Sequence, residues 1–298
     1  MVHAVYHEPV MLKEVMHFLQ LKPGMKVVDA TIGTGGHARA IIEAISPGGL
    51  LIGVDRDQES LELAQERLAD YASHCVFVHN NFFNIDTILS QQGIHQVDAF
   101  LLDLGISSFQ LNNAIRGFSF TNEGPLDMRM DRKASLSAFD LVNNLTQEEL
   151  ATIFWRLGEE RYSRRIAGAI AAQRRKSTIT TTTQLSQLID RTIHSFRHSR
   201  TIHPATRVFQ ALRIAVNREL ESLELFLEKA ASFLSSGGRM CVISFHSLED
   251  RIVKRGFRQL ARTEGFRLVE KKPFIATLQE TKENPRSRSA KLRILERL

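Results

Sequence analysis

Three carboxylates and a knot of glycines are the residues of this 298-residue chain whose types and spacing could do chemistry. Asp29, Asp55 and Asp103 each close a short apolar run: Val27-Val28, Leu50 to Val54, and Ala99 to Leu102. Uninterrupted runs of that length read as strands buried on both faces, which brings their acidic ends to one edge of a parallel sheet. Such sheets bind and transform ligands outside the carboxyl ends of their strands. Between the first acid and a helical pattern starting at His37 stand Gly33, Gly35 and Gly36. Glycines at that turn let bare backbone N–H groups and a helix N-terminus approach a ligand with no Cβ in the way.

The glycine spacing has two readings. Gly33-x-Gly35-x-x-Ala38 satisfies the relaxed dinucleotide fingerprint of a nicotinamide oxidoreductase. The frame Asp29-x-Thr31-x-Gly33-x-Gly35-Gly36 instead looks like the first motif of S-adenosylmethionine-dependent methyltransferases, with Thr31 where a glycine is usual. Asp55 stands 20 residues beyond Gly35, the place of a carboxylate that accepts both ribose hydroxyls of an adenosine ligand. Phe82, just after a third strand at Cys75–His79, would flank the base.

These groups need a scaffold, and the chain supplies an α/β alternation up to Asp103. There the rhythm stops. A glycine- and charge-rich stretch leads into helical patterning from Ser135 to Phe209, in which Thr146-Gln147-Glu148-Glu149 is a capping box, Gly158 a helix stop and Thr183 a cap. Val208 to Leu234 reads as helix with a joint near Asn217. Met240 to Phe245 is a fifth strand, and two last strands, Phe266 to Lys271 and Lys291 to Leu295, pair as an antiparallel edge. The expected organisation is a sheet domain of residues 1–111 and 210–298, interrupted by a helical domain of residues 112–209.

Composition bounds the function classes. Hydrophobic residues are 43% and charged residues 24%, as in an ordinary globular protein, and no stretch approaches the roughly 20 apolar residues of a membrane span. The first residues carry no secretory pattern, and Cys75 and Cys241 sit in apolar runs as free thiols, so a cytoplasmic protein is expected. Net charge is +6, and it is unevenly spread. Residues 112–209 hold 15 Lys and Arg against 9 Asp and Glu, and the remainder holds 24 of each sign. A basic block of that kind suits a polyanion. Arg161, Arg164, Arg165, Arg174, Arg175 and Lys176 would grip phosphates, with Arg286 and Arg288 in a basic loop as a second candidate. His194 and His198 are four apart but lack a third ligand, so no zinc site is expected.

Seven stretches taken together carry a resemblance. They are His7-Glu8-Pro9-Val10, Thr31 to His37, Asp103 to Ser108, Gly124-Pro125-Leu126-Asp127-Met128-Arg129-Met130-Asp131, His203-Pro204-Ala205-Thr206-Arg207, Ser244 to Arg251, and Asn284 to Lys291. In this order, from about residue 6 onward, the chain closely resembles the RsmH (MraW) family, S-adenosylmethionine-dependent enzymes that methylate N4 of a cytosine in 16S ribosomal RNA. The resemblance implies a Rossmann-like methyltransferase sheet, mostly parallel with an antiparallel edge, carrying an inserted all-helical domain that recognises RNA. It implies cofactor contacts at Gly33, Gly35, Gly36, His37, Asp55, Phe82, Asp103 and Gln110. The implied partner is 16S ribosomal RNA or the small ribosomal subunit at its decoding centre. The oligomeric state is left open, a homodimer among the alternatives.

The reaction sets its own demands. The lone pair of a cytosine N4 is conjugated into the ring, so acceptors must draw on its N–H bonds while the amine lies in line with the methyl group. The Asp/Asn-Pro-Pro-Tyr loop that many amino-methyltransferases use is Asp103-Leu104-Gly105-Ile106 here, without prolines or an aromatic ring. Asp103, or a neighbouring carbonyl, is the expected acceptor, with His246 lining the same pocket from strand five. Phe109, Phe118, Phe120, Arg116 and Arg129 are expected to hold the unstacked base.

Overall fold

The computed structural model describes residues 8–194, 203–262 and 265–298. His7 and His198 lie outside them. The chain folds as two compact units, one of residues 1–105 and 220–298, the other of residues 106–219. The division begins six residues before the expected start of the helical insertion and ends ten after its expected end, because Ile106, Leu111, Val216 and the turn at Arg218 pack with the helices.

The first unit is built on an eight-stranded sheet: β1 (Lys26–Asp29), β2 (Leu50–Asp55), β3 (Cys75–His79), β4 (Val97–Asp103), β5 (Leu234–Ser244), β6 (Phe266–Leu268), β7 (Phe274–Ile275) and β8 (Lys291–Arg297). The order is β3-β2-β1-β4-β5-β8-β6, with β7 also paired to β8. The first five strands are parallel, and β8 runs antiparallel to β5, β6 and β7. The antiparallel pair expected at the edge is present, but β8 is interior and β6 is the edge. Successive residues of a strand face opposite sides. Val28, Ile52, Phe100 and Val242 therefore join one core with the helices Ile85–Gln91, Glu219–Phe233 and Ser247–Leu260. Val27, Leu51, Leu101 and Ile243 join the other with the helices Leu12–Leu19, Gly36–Ile45 and Gln58–Arg67.

The second unit packs its own core, including Leu126, Met128, Leu150, Phe154, Ile166, Leu185, Ile189 and Leu212. Its main helices are Ala138–Asn144, Gln147–Gly158, Ser163–Arg174, Thr182–Ile193 and Thr206–Asn217. Local chemistry sets their ends. Thr146 and Glu149 form the expected reciprocal cap. Thr181 with Gln184 caps the helix expected to start at Thr183, since a hydroxyl three residues before a glutamine closes both bonds. The helix ends at Gly158 as expected, with Glu159 in the left-handed conformation as its C-cap, and a Cβ at Gly158 would collide with the Arg207 carbonyl oxygen. The joint expected near Asn217 is a left-handed Arg218.

Gly117 and Gly124 hold the loop after β4 in shape. A Cβ on Gly124 would sit 1.9 Å from the Ala114 carbonyl oxygen, backbone that has no flexible end to swing away. Gly124→Ala is therefore expected to destabilise the protein by about 2–3 kcal/mol, read as an earlier denaturant midpoint with an unchanged slope.

Candidate active site

The three acids stand side by side because β2, β1 and β4 are neighbours in the sheet. They are wired into the glycine turn. Gly33 N–H donates to Asp55 Oδ2 at 2.8 Å, and the other Asp55 oxygen accepts from Asp57 N–H at 2.8 Å. Gly33 and Gly35 both take positive φ, 52° and 80°, and Gly35 is the N-cap of the helix Gly36–Ile45. Thr31 explains itself here: its N–H donates to Asp29 Oδ1 at 3.2 Å, while its hydroxyl oxygen accepts from Asp103 N–H at 2.6 Å. A glycine at 31 would remove the hydroxyl link to Asp103 and leave the backbone bond from Ala30 N–H to the Leu101 carbonyl as the tie between these strand tips.

Asp103 faces His37 through one of its oxygens. Its Oδ2 lies 3.5 Å from His37 Nδ1, and its Oδ1 is buried without a hydrogen-bond partner. His37 Nε2 is 3.0 Å from the Val10 carbonyl, which can only accept, so Nε2 carries the ring proton and Nδ1 is bare toward Asp103. Burial pushes the imidazole down to about 4. Burial, with Asp29 and Glu249 as neighbouring negative charges, holds the Asp103 carboxyl well above the usual carboxylate range. Asp29 is raised to about 7 and Asp55 to about 6, burial being the main cause in both. A set of acids this reluctant to ionise is suited to a ligand that brings positive charge.

Glu249 was not singled out from the sequence. It is buried, and its Oε2 accepts from Phe245 N–H at 2.8 Å and His246 N–H at 3.3 Å. The spacing His246-x-x-Glu249 was the available signal, a capping box with histidine as the cap. His246 accordingly lies two residues past β5, as the N-cap of the helix Ser247–Leu260, with Nδ1 accepting from Glu249 N–H. The wall beside His37 is also new: Asn284 Nδ2 donates to the Glu8 carbonyl at 3.2 Å, and Met11 N–H donates to Glu280 Oε1 at 2.6 Å. Four of the motif stretches thus meet around one histidine.

Phe82 opens a short 3-10 turn after β3, half-buried, edge-on to Phe226 at 5.6 Å and 6.0 Å from the Arg56 guanidinium. Gln110 belongs to the helical unit, where its Oε1 accepts from Ser107 N–H in a capping box. Two arginines expected to meet RNA have structural roles instead. Arg116 is 2% exposed and donates to the Arg129 and Met130 carbonyls, because a guanidinium can satisfy carbonyls that no helix or strand reaches. Arg129 is clamped by both oxygens of Asp127 and by the Ala134 carbonyl. Phe118 is core, and Phe120 stacks on His203 against Phe209, which leaves Phe109, half-buried, of the three rings. Arg174 donates to the Val142 carbonyl, whereas Arg161, Arg164, Arg165, Arg175 and Lys176 are exposed. Arg286 is half-buried and Arg288 exposed.

The raised acids make a pH signature. Between about pH 4 and 7 the folded state keeps protons on Asp29 and Asp55 that the unfolded chain has lost, so stability falls as pH rises; His37, lowered, acts in the opposite sense between about 4 and 6.5. The carboxyls outnumber it. Asp29→Asn should flatten the decline and raise stability at pH 8 by on the order of 1–3 kcal/mol, read as melting temperature against pH.

The parallel β3-β2-β1-β4-β5 order followed by the antiparallel interior strand β8 departs from the all-parallel dinucleotide-binding sheet expected of a nicotinamide enzyme. With an acid-tipped glycine turn, it defines a Rossmann-like methyltransferase. The chain belongs to the MraW methylase family, whose pattern it matches over residues 4–298. It is 46% identical over 309 residues to the ribosomal RNA small subunit methyltransferase H of Syntrophobacter fumaroxidans, covering 99% of this chain and 97% of that protein. It is 48% identical to the protein of the same name from Syntrophotalea carbinolica, covering 98% of each. With that of a Cyanothece species it shares 49% identity, over 98% of this chain and 95% of that protein.

Proposed function

We propose that this protein transfers a methyl group from S-adenosylmethionine to N4 of a cytosine in 16S ribosomal RNA, in the cytoplasm. The observation that carries the reading is the Asp103 carboxyl at the tip of β4, with one oxygen unpartnered, beside a turn built for an adenosine ligand. The donor set fits the cofactor. Asp55 suits a ribose diol, the Gly35–His37 helix start suits a carboxylate, and the acids around Asp103 suit a cation. When bound, S-adenosylmethionine supplies an electrophilic methyl on a positively charged sulfur. That charge favours the ionised form of Asp103.

Ionised Asp103 then accepts a hydrogen bond from the cytosine amine and draws electron density back onto N4. As the methyl group reaches N4, Asp103 takes the proton that the amine loses, a step favoured by its burial beside Asp29 and Glu249, while His37 Nδ1, kept bare by the Val10 carbonyl, faces the same carboxyl at 3.5 Å. Glu249 keeps the β5 end in place and adds the negative field that makes Asp103 basic once the cation is present. Mapping methyl groups on ribosomal RNA from cells lacking the protein tests the assignment: loss of a single cytosine N4 methyl supports it, and an unchanged map overturns it.

The helical unit supplies phosphate contacts through its exposed cations. Neutralising Arg175 and Lys176 together is expected to weaken binding of a 16S fragment about tenfold at physiological salt and to reduce its salt slope by about 1.5. An unchanged slope in filter-binding titrations would count against them.

A further inference from the structure

The neutral charge sum of the sheet domain conceals a stripe. On the helix Ser247–Leu260, Arg251, Arg255 and Arg258 are exposed, and Arg262 continues their line in the turn that follows. Spacings of four, three and four residues set the four within an arc of roughly 60° and along about 16 Å of helix axis. The opposite face, with Val253 and Phe257, is buried in the core of the sheet domain.

The helix has two acids, and both are spent. Glu249 is buried in the cap, and Asp250 is held by Arg293 at 2.7 Å and Lys291 at 3.4 Å. Among the described residues neither Arg255 nor Arg258 makes an ion pair. Like charges three and four residues apart repel along a helix, and a soluble surface ordinarily alternates its signs to avoid this. Among the described residues none of the large exposed apolar side chains belongs to this helix, so the helix itself offers a lipid layer nothing large and apolar to insert. Guanidinium groups in a row, with Arg255 and Arg258 at its centre unpaired among the described residues, match consecutive phosphates of a nucleic-acid strand.

We propose that this helix face is a docking ridge for the RNA backbone, on the sheet domain and separate in sequence from the basic helical unit. It rests on RNA being the substrate. The test uses the full-length protein and the Arg255→Gln/Arg258→Gln variant, with a 16S fragment spanning the decoding region. RNA affinity should fall about 10- to 30-fold at physiological salt, and the slope of log K against log salt should drop by about 1.4–1.8, two phosphate contacts. Donor affinity by calorimetry and kcat at saturating RNA should stay within twofold of the parent. Arg255→Lys/Arg258→Lys should restore most of the slope.

A parent that binds RNA while the glutamine variant keeps its slope overturns the ridge and leaves the methyltransferase reading standing. A parent that binds the donor but neither the 16S fragment nor the small ribosomal subunit overturns the ridge and the RNA substrate with it. Loss of binding to phosphatidylserine vesicles with RNA binding intact overturns the ridge and reassigns the stripe to a membrane surface.

Discussion

Asp103→Ala is expected to lower kcat by about 10²–10⁴-fold at saturating donor and RNA, the usual contribution of a positioned acid–base group. The size follows from the weak nucleophile. An exocyclic amine whose lone pair is shared with the ring needs an acceptor at its N–H before it can attack, and the other β-strand acids already have work. Asp29 is 1% exposed and bonded to Thr31 N–H, and Asp55 holds Gly33 and Asp57. Asp103 alone of the three keeps a buried oxygen without a partner. Its backbone N–H stays bonded to Thr31 in the variant, so the strand tip should remain in place. Single-turnover kinetics separates chemistry from binding. A rate within threefold of the parent, with donor affinity intact, would remove Asp103 from the reaction.

The second large effect is expected at Asp55. Asp55→Ala removes the acceptor of Gly33 N–H together with the carboxylate proposed for the ribose, while Asn at the same position preserves an acceptor for Gly33 but not the charge. Hydrogen bonds to a charged group contribute about 1.5–3 kcal/mol. Calorimetry with S-adenosylhomocysteine should therefore show affinity weakened about 10- to 100-fold in the alanine variant and less in the asparagine variant, with kcat at saturating donor little changed. Equal affinity in all three proteins would show that the ligand never meets this residue. Together the two variants divide the tip of the sheet into a part that acts on turnover and a part that acts on donor binding.

The acids were legible in the sequence because each ends an apolar run with no competing reading, and strand polarity carries all three to one edge. The capping boxes were legible for the same local reason. What escaped was set by contacts distant along the chain. Nothing near Arg116 announces that its guanidinium will fill the space under the carbonyls 13 and 14 residues later. Asp127, two residues from Arg129, was a visible signal, yet an adjacent pair of opposite charges usually means a solvated surface. Phe118 and Phe120 belong to a loop by local pattern but to a core by fold. The placement of β8 between β5 and β6 could not be read from two strand-like segments whose local pattern is satisfied by pairing with each other alone.

That placement has a consequence for synthesis of the protein. Lys291–Arg297 is the central plank to which β5, β6 and β7 are all fastened, and its neighbours Asn284 and Glu280 reach back to Glu8 and Met11. A nascent chain still inside the ribosome at this segment has a half-sheet with an open side and no brace beside His37. The sheet of an enzyme that we infer to act on ribosomal RNA is thus completed only once residues 291–297 have left the ribosome that made them.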